Sequence, residues 1–126
     1  MITTLVQVAL GGALGASSRY LTGVVIARNF GMGKFPLGII TVNVLGSFLM
    51  GVITIILVRT NLTQFNALVA VGFLGGFTTF SSFSLETITL IERGETGLAA
   101  LYVVLSVGLS LGALFGGIAL ARAAFP

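Results

Sequence analysis

The chain has no cysteine, no histidine and no tryptophan, and charged residues make up only 7% of its 126 positions. Without cysteine there is no disulfide and no thiolate chemistry. Without histidine the commonest general base and the usual zinc ligand are gone. No Ser-His-Asp or paired-carboxylate arrangement can be assembled, and no glycine-rich loop carries a lysine to cradle phosphates. Hydrolysis and ATP-driven transport are thereby excluded, and the chain reads as something other than an enzyme. Six basic residues against three acidic ones give a net charge of +3. The basic residues stand singly over the ends of apolar runs, as interfacial anchors do, so nothing points to nucleic acid.

What is abundant is apolar surface, with 56% hydrophobic residues. A membrane-spanning helix needs about 20 apolar residues. Four such runs fit the chain, over 4–27, 35–58, 65–91 and 97–121, so the expected fold is an all-α integral membrane protein of a single domain. The first run lacks a basic leader and a small-residue cleavage pattern, which reads as a retained helix and not a signal peptide.

Polar residues inside these runs are the informative ones. Arg19 lies about 13 Å below the interfacial Arg28 at 1.5 Å per residue. It either snorkels towards water or faces a cavity. Asn43 stands about 10 Å inside the second run, followed one turn later by Ser47. Its amide either bonds a neighbouring helix or donates to something passing by. Glu86 is the only acid outside the third loop, and a lone intramembrane carboxylate is a functional candidate. In the fourth run Tyr102, Ser106 and Ser110 repeat at helical spacing, as interhelical glue or as a polar track. Small residues form the other theme. Gly11, Gly12 and Gly15, then Gly46 and Gly51, and finally Gly108, Gly112 and Gly116 are expected to be close-packing faces.

The third run holds Gly75-Gly76-Phe77-Thr78-Thr79-Phe80-Ser81-Ser82-Phe83-Ser84, with two glycines, five hydroxyls and three phenylalanines in ten residues. Small residues and hydroxyls serve helix packing, yet the same composition suits a helix that breaks at the bilayer centre and turns its freed groups to a path or an ion. Counted in depth from the face carrying the first and third loops, Arg19, Asn43, Glu86, Tyr102 and Ser106 all fall in the nearer half of the bilayer. One subunit therefore supplies half of a polar path. The donors along it are an amide, several hydroxyls, a phenol, a cation and the electropositive edges of aromatic rings, a set suited to a small anion that accepts hydrogen bonds strongly.

The stretch from Gly72 to Ser84 resembles the signature of the Fluc/CrcB fluoride channels. The likeness extends along the chain through Gly12-Ala13-Leu14-Gly15 with Arg19-Tyr20, through Pro36-Leu37-Gly38 with Asn43, Gly46 and Gly51, and through Tyr102, Ser106 and Ser110. The resemblance implies a passive, fluoride-selective channel of a cell inner membrane or plasma membrane. It implies an antiparallel, dual-topology homodimer with two pathways lined by both subunits. Phe80 and Phe83 would turn ring edges to fluoride, Asn43 would donate to it, and Arg19 would sit in an aqueous vestibule. Carbonyls of Gly75 and Thr78, with their mates from the second subunit, would hold a central structural Na+. Ser81, Ser84, Glu86, Tyr102, Ser106 and Ser110 would line or support the path. Ser82 replaces the family's usual threonine and keeps the hydroxyl, whereas Ile39 replaces a common threonine and loses a donor.

The rival reading is a proton-coupled exporter of organic cations of the small multidrug resistance kind. That protein needs a carboxylate in its first helix beside aromatic rings that hold the cation. This chain has Arg19 there. A purely structural assembly protein would account for the glycines but not for the one-sided polar groups.

Overall fold

The computed structural model describes all 126 residues, Met1–Pro126, and is wholly helical. Helix α1 runs over Ile2–Phe30 and α2 over Leu37–Arg59. The third segment comprises a 3-10 turn at Thr63–Phe65, a π-helical run over Ala67–Leu74, a single turn α3 at Gly75–Phe77, and helix α4 over Phe80–Glu92. Helix α5 closes the chain over Thr96–Ala124.

Three stretches are long and apolar enough to cross a membrane: Leu37–Arg59, Thr63–Glu92 and Thr96–Ala124. Four crossings are expected from the sequence. Helix α1, at 29 residues, has the length for a fourth. Its apolar content is diluted by Gln7, Arg19, Arg28 and a run of small residues. The exterior suits lipid, because only 17 of 126 residues are buried while large side chains such as Leu14, Phe115 and Leu120 lie outside.

Local chemistry sets the helix ends. Helix α1 stops at Gly31, whose φ of 74° is the left-handed conformation that glycine adopts without a Cβ penalty, and whose N–H reaches back to the carbonyl of Ala27. Pro36 caps α2 from just outside it, where its missing N–H costs nothing.

Two packed pairs make up the bundle, α1 against the π-helical run with α3, and α2 against α5. Glycine lets the backbones touch in both. A methyl group added at Gly11 would overlap the carbonyl of Leu68, and one at Gly15 the carbonyl of Phe73. Across the second pair, Gly51 meets the carbonyl of Leu114 and Gly117 that of Phe48. The expected packing face at Gly108, Gly112 and Gly116 is not used in this way, since a methyl at any of the three would meet nothing. Spacing of four puts those glycines together on one side of α5. That side is turned away from α2, and Gly117, one residue on, makes the contact.

Candidate functional site

Everything at the site follows from an interruption in the third segment. Thr78 and Thr79 are extended, with φ/ψ of −86°/155° and −152°/112°, so the helix stops after Phe77 and restarts at Phe80. A stopped helix leaves carbonyls without donors and a restarted one leaves N–H groups without acceptors. Each receives a specific answer. The N–H of Thr79, whose helical acceptor would be Gly75, donates instead to Asn43 Oδ1 at 2.8 Å. Asn43 Nδ2 in turn donates to the Thr79 carbonyl at 3.1 Å. The Gly76 carbonyl, which loses Phe80 as its helical donor, accepts from Arg19 Nε at 3.0 Å. At the restart, Thr79 Oγ1 accepts from the N–H of Ser82 at 3.1 Å and caps α4.

Arg19 of α1 and Asn43 of α2 thus both reach the interruption. Asn43 bonds a neighbouring segment, one of the two roles open to it, and keeps one N–H of its amide free. Arg19 uses Nε on the backbone and retains its other guanidinium donors. Thr78 Oγ1 donates back to Leu74, while the Thr78 carbonyl takes no hydrogen bond within the chain. With Gly75 deprived of its helical donor, Gly75 and Thr78 present two backbone oxygens, ligands of the kind a hard cation takes.

A cavity of 380 Å³ opens beside the interruption, lined by Asn43, Ser47, Thr78, Thr79, Phe80 and Phe83, and on α5 by Ser106 and Ser110. The rings of Phe80 and Phe83 stand 5.4 Å apart at 53°, and Phe83 lies 5.3 Å from Tyr102, whose other neighbour, Phe35, meets it edge-on at 88°. Phe80 is 77% exposed, a large apolar ring on the outside of the chain. Tyr102 and Ser106, one turn apart on α5, are buried with their hydroxyls unpartnered. Such groups cost about 1–3 kcal/mol each unless another partner satisfies them. Ser81 Oγ stands 3.3 Å from Thr79 Oγ1, and Ser84 Oγ donates to the Phe80 carbonyl, so both hydroxyls stay close to the restart.

Glu86 stands apart from the interruption, and Arg19 extends to it. They line a second cavity of 520 Å³, together with Lys34 and Arg93. Arg19 therefore touches the interruption with one end while facing this cavity, and no ion pair joins it to Glu86. Sequence reasoning missed two contributions. Thr79 as a helix cap is signalled only by a hydroxyl residue ahead of a renewed apolar run. Lys34 and Arg93 look in sequence like ordinary interfacial anchors, and only the loop path brings them to a cavity.

The chain is similar to known proteins along nearly its whole length. The family model described as CrcB-like protein, Camphor Resistance (CrcB), matches residues 6–118. A protein of Cereibacter sphaeroides named fluoride-specific ion channel FluC is 57% identical over 122 residues, 97% of each chain. Proteins of the same name from a Ruegeria species and a Jannaschia species are 53% identical over 97% of this chain and 62% identical over 74% of it, covering 97% and 89% of their own lengths. None of these relatives favours the organic-cation exporter. The same stretches that build the interruption and its two latches lie inside the matched region, and the chain belongs to the CrcB family.

Proposed function

We propose that this chain forms a fluoride-selective passive channel that lets fluoride leave the cell and lowers its concentration in the cytoplasm. The observation that carries the reading is the 57% identity, over 97% of both chains, to a protein named as a fluoride-specific ion channel. The site chemistry supports it. The remaining Asn43 N–H and the hydroxyls of Ser106 and Ser110 on the cavity wall supply hydrogen-bond donors, the unpartnered Tyr102 hydroxyl lies buried one turn from Ser106 as a supporting group, and the edges of Phe80 and Phe83 carry positive potential. Fluoride is small and accepts hydrogen bonds strongly, so donors replace its hydration at close range. Ser81 and Ser84 support the start of α4, and Arg19 with Glu86 stands at the approach.

In this reading the chain crosses a cell inner membrane or plasma membrane four times, with the interruption at 78–79 near the bilayer centre. It works as an antiparallel homodimer from one gene product. Three features support the dimer: the exposed Phe80 ring, the open face at Gly108, Gly112 and Gly116, and a cation balance between the two sets of loops. Arg28, Lys34 and Arg93 on one face oppose Arg59 and Arg122 on the other, too small a bias to impose a single orientation. Carbonyls of Gly75 and Thr78 from both copies would hold a structural Na+ at the dimer centre, neutralising oxygens that the interruption leaves without donors.

The test is efflux from liposomes followed with fluoride and chloride electrodes side by side. Rapid fluoride release with chloride retained is the expected result; equal release of both, or of neither, overturns the reading. Lysines added to one loop set give the companion test. Flux should collapse in a uniformly oriented population and return when an oppositely biased version is co-expressed.

A further inference from the structure

We propose that Lys34 and Arg93 recruit anions to the second cavity, and that Glu95 tunes this recruitment through its ion pair with Lys34. The inference rests on the channel reading above. Lys34 comes from the loop after α1 and Arg93 from the end of α4, 59 positions apart in sequence, yet both line the 520 Å³ cavity that also holds Arg19 and Glu86. Three cationic side chains face a single carboxylate there. The cations differ in how they are engaged. Arg19 spends its Nε on Gly76, Arg93 makes no side-chain hydrogen bond or ion pair, and Lys34 Nζ is held 2.5 Å from Glu95 Oε1.

A concave site with one predominant sign of charge and low-dielectric walls raises the local concentration of the opposite ion, an effect that salt suppresses. Glu95 is not among the residues lining the cavity, so its carboxylate offsets the Lys34 charge from outside. Lys34 is 70% exposed and Glu95 29%. The pair is therefore a surface contact of small value to stability. Its consequence is electrostatic: removing the carboxylate leaves the cation in place and strengthens the field at the cavity mouth.

Four variants test this in liposomes at fluoride concentrations well below saturation. At about 10 mM ionic strength, Lys34→Gln and Arg93→Gln should each slow initial fluoride efflux about two- to fivefold, and Glu95→Gln should quicken it by a similar factor. The double variant Lys34→Gln/Glu95→Gln should fall between the two single ones. All differences should shrink towards zero near 1 M salt, where the screening length is about 3 Å. Equal elution from a sizing column checks that the variants fold. Rates that do not change, or that change by the same factor at every salt concentration, overturn the proposal while leaving the channel reading intact. A wild-type protein that releases no fluoride overturns both.

Discussion

Asn43 holds both backbone groups of Thr79, accepting from its N–H at 2.8 Å and donating to its carbonyl at 3.1 Å. One side chain on α2 thereby replaces two helical hydrogen bonds lost at the interruption and fixes where α4 begins. Asn43→Ala leaves two polar groups of a partly buried residue unpaired. At about 1–3 kcal/mol per group, thermal stability in detergent should fall markedly, and fluoride flux should fall with it. Asn43→Asp keeps the acceptor and loses the donor, so its unfolding temperature should lie between the two. An Asn43→Ala protein as stable as wild type would mean that Thr79 finds other partners.

Arg19 should behave as a backbone latch as well as a cation. Its bond to the Gly76 carbonyl is charge-assisted, a class worth about 1.5–3 kcal/mol. Arg19→Met should lower stability by an amount in that range and speed amide hydrogen exchange across residues 77–81. Arg19→Lys preserves the charge but not the guanidinium geometry. It should keep more flux than Arg19→Met while still showing faster exchange. Exchange unchanged in both variants would reduce Arg19 to its charge alone.

Phe80 and Phe83 should separate flux from folding. Isoleucine has no electropositive edge, so Phe80→Ile and Phe83→Ile should each cut fluoride efflux at least tenfold. Phe83 packs against Tyr102 at 5.3 Å and Phe80 is mostly exposed. Both substitutions lose the Phe80–Phe83 pair, and Phe83→Ile loses the Tyr102 pair as well, so it should lower the stability of the single chain further, by about 0.5–1.5 kcal/mol. Wild-type flux in either variant would remove that ring from the path.

Glycines on the two sides of the bundle should respond in opposite ways. A methyl at Gly15 collides with the Phe73 backbone, so Gly15→Ala should destabilise the fold by about 1–3 kcal/mol. Gly112 faces open space within the chain, so Gly112→Leu should leave helical content unchanged. Chemical crosslinking in detergent should then show fewer dimers, because the enlarged side chain stands on the face proposed for the second copy.

The sequence exposed some of this and hid the rest for physical reasons. Helical spacing identified Arg19, Asn43 and the 75–84 stretch as misfits in a lipid environment, because their polarity conflicts with their surroundings. It did not identify their partners. Arg19 and Asn43 both bond backbone atoms, 57 and 36 residues away, and no side-chain pattern marks a carbonyl as orphaned. Periodicity grouped Gly108, Gly112 and Gly116 correctly on one side of α5 without telling whether that side meets α2. Lys34 reached a cavity through the course of a glycine-containing loop, which has no period to read.

The π-helical run over Ala67–Leu74 gives the third segment a property that the other helices lack. Its turns close from residue i to i+5 and so contain more residues than an α-helical turn covering the same angle. When one residue is lost within this run, tightening to ordinary α geometry restores most of the angle at which the following residues face. The same loss in the middle of α2 or α5 rotates all that follows by about 100° and turns its polar face towards lipid. The run is at the same time held by α1, where Gly11 meets the Leu68 carbonyl and Gly15 the Phe73 carbonyl, so the slack in angular register sits in a segment whose backbone is pinned at close range.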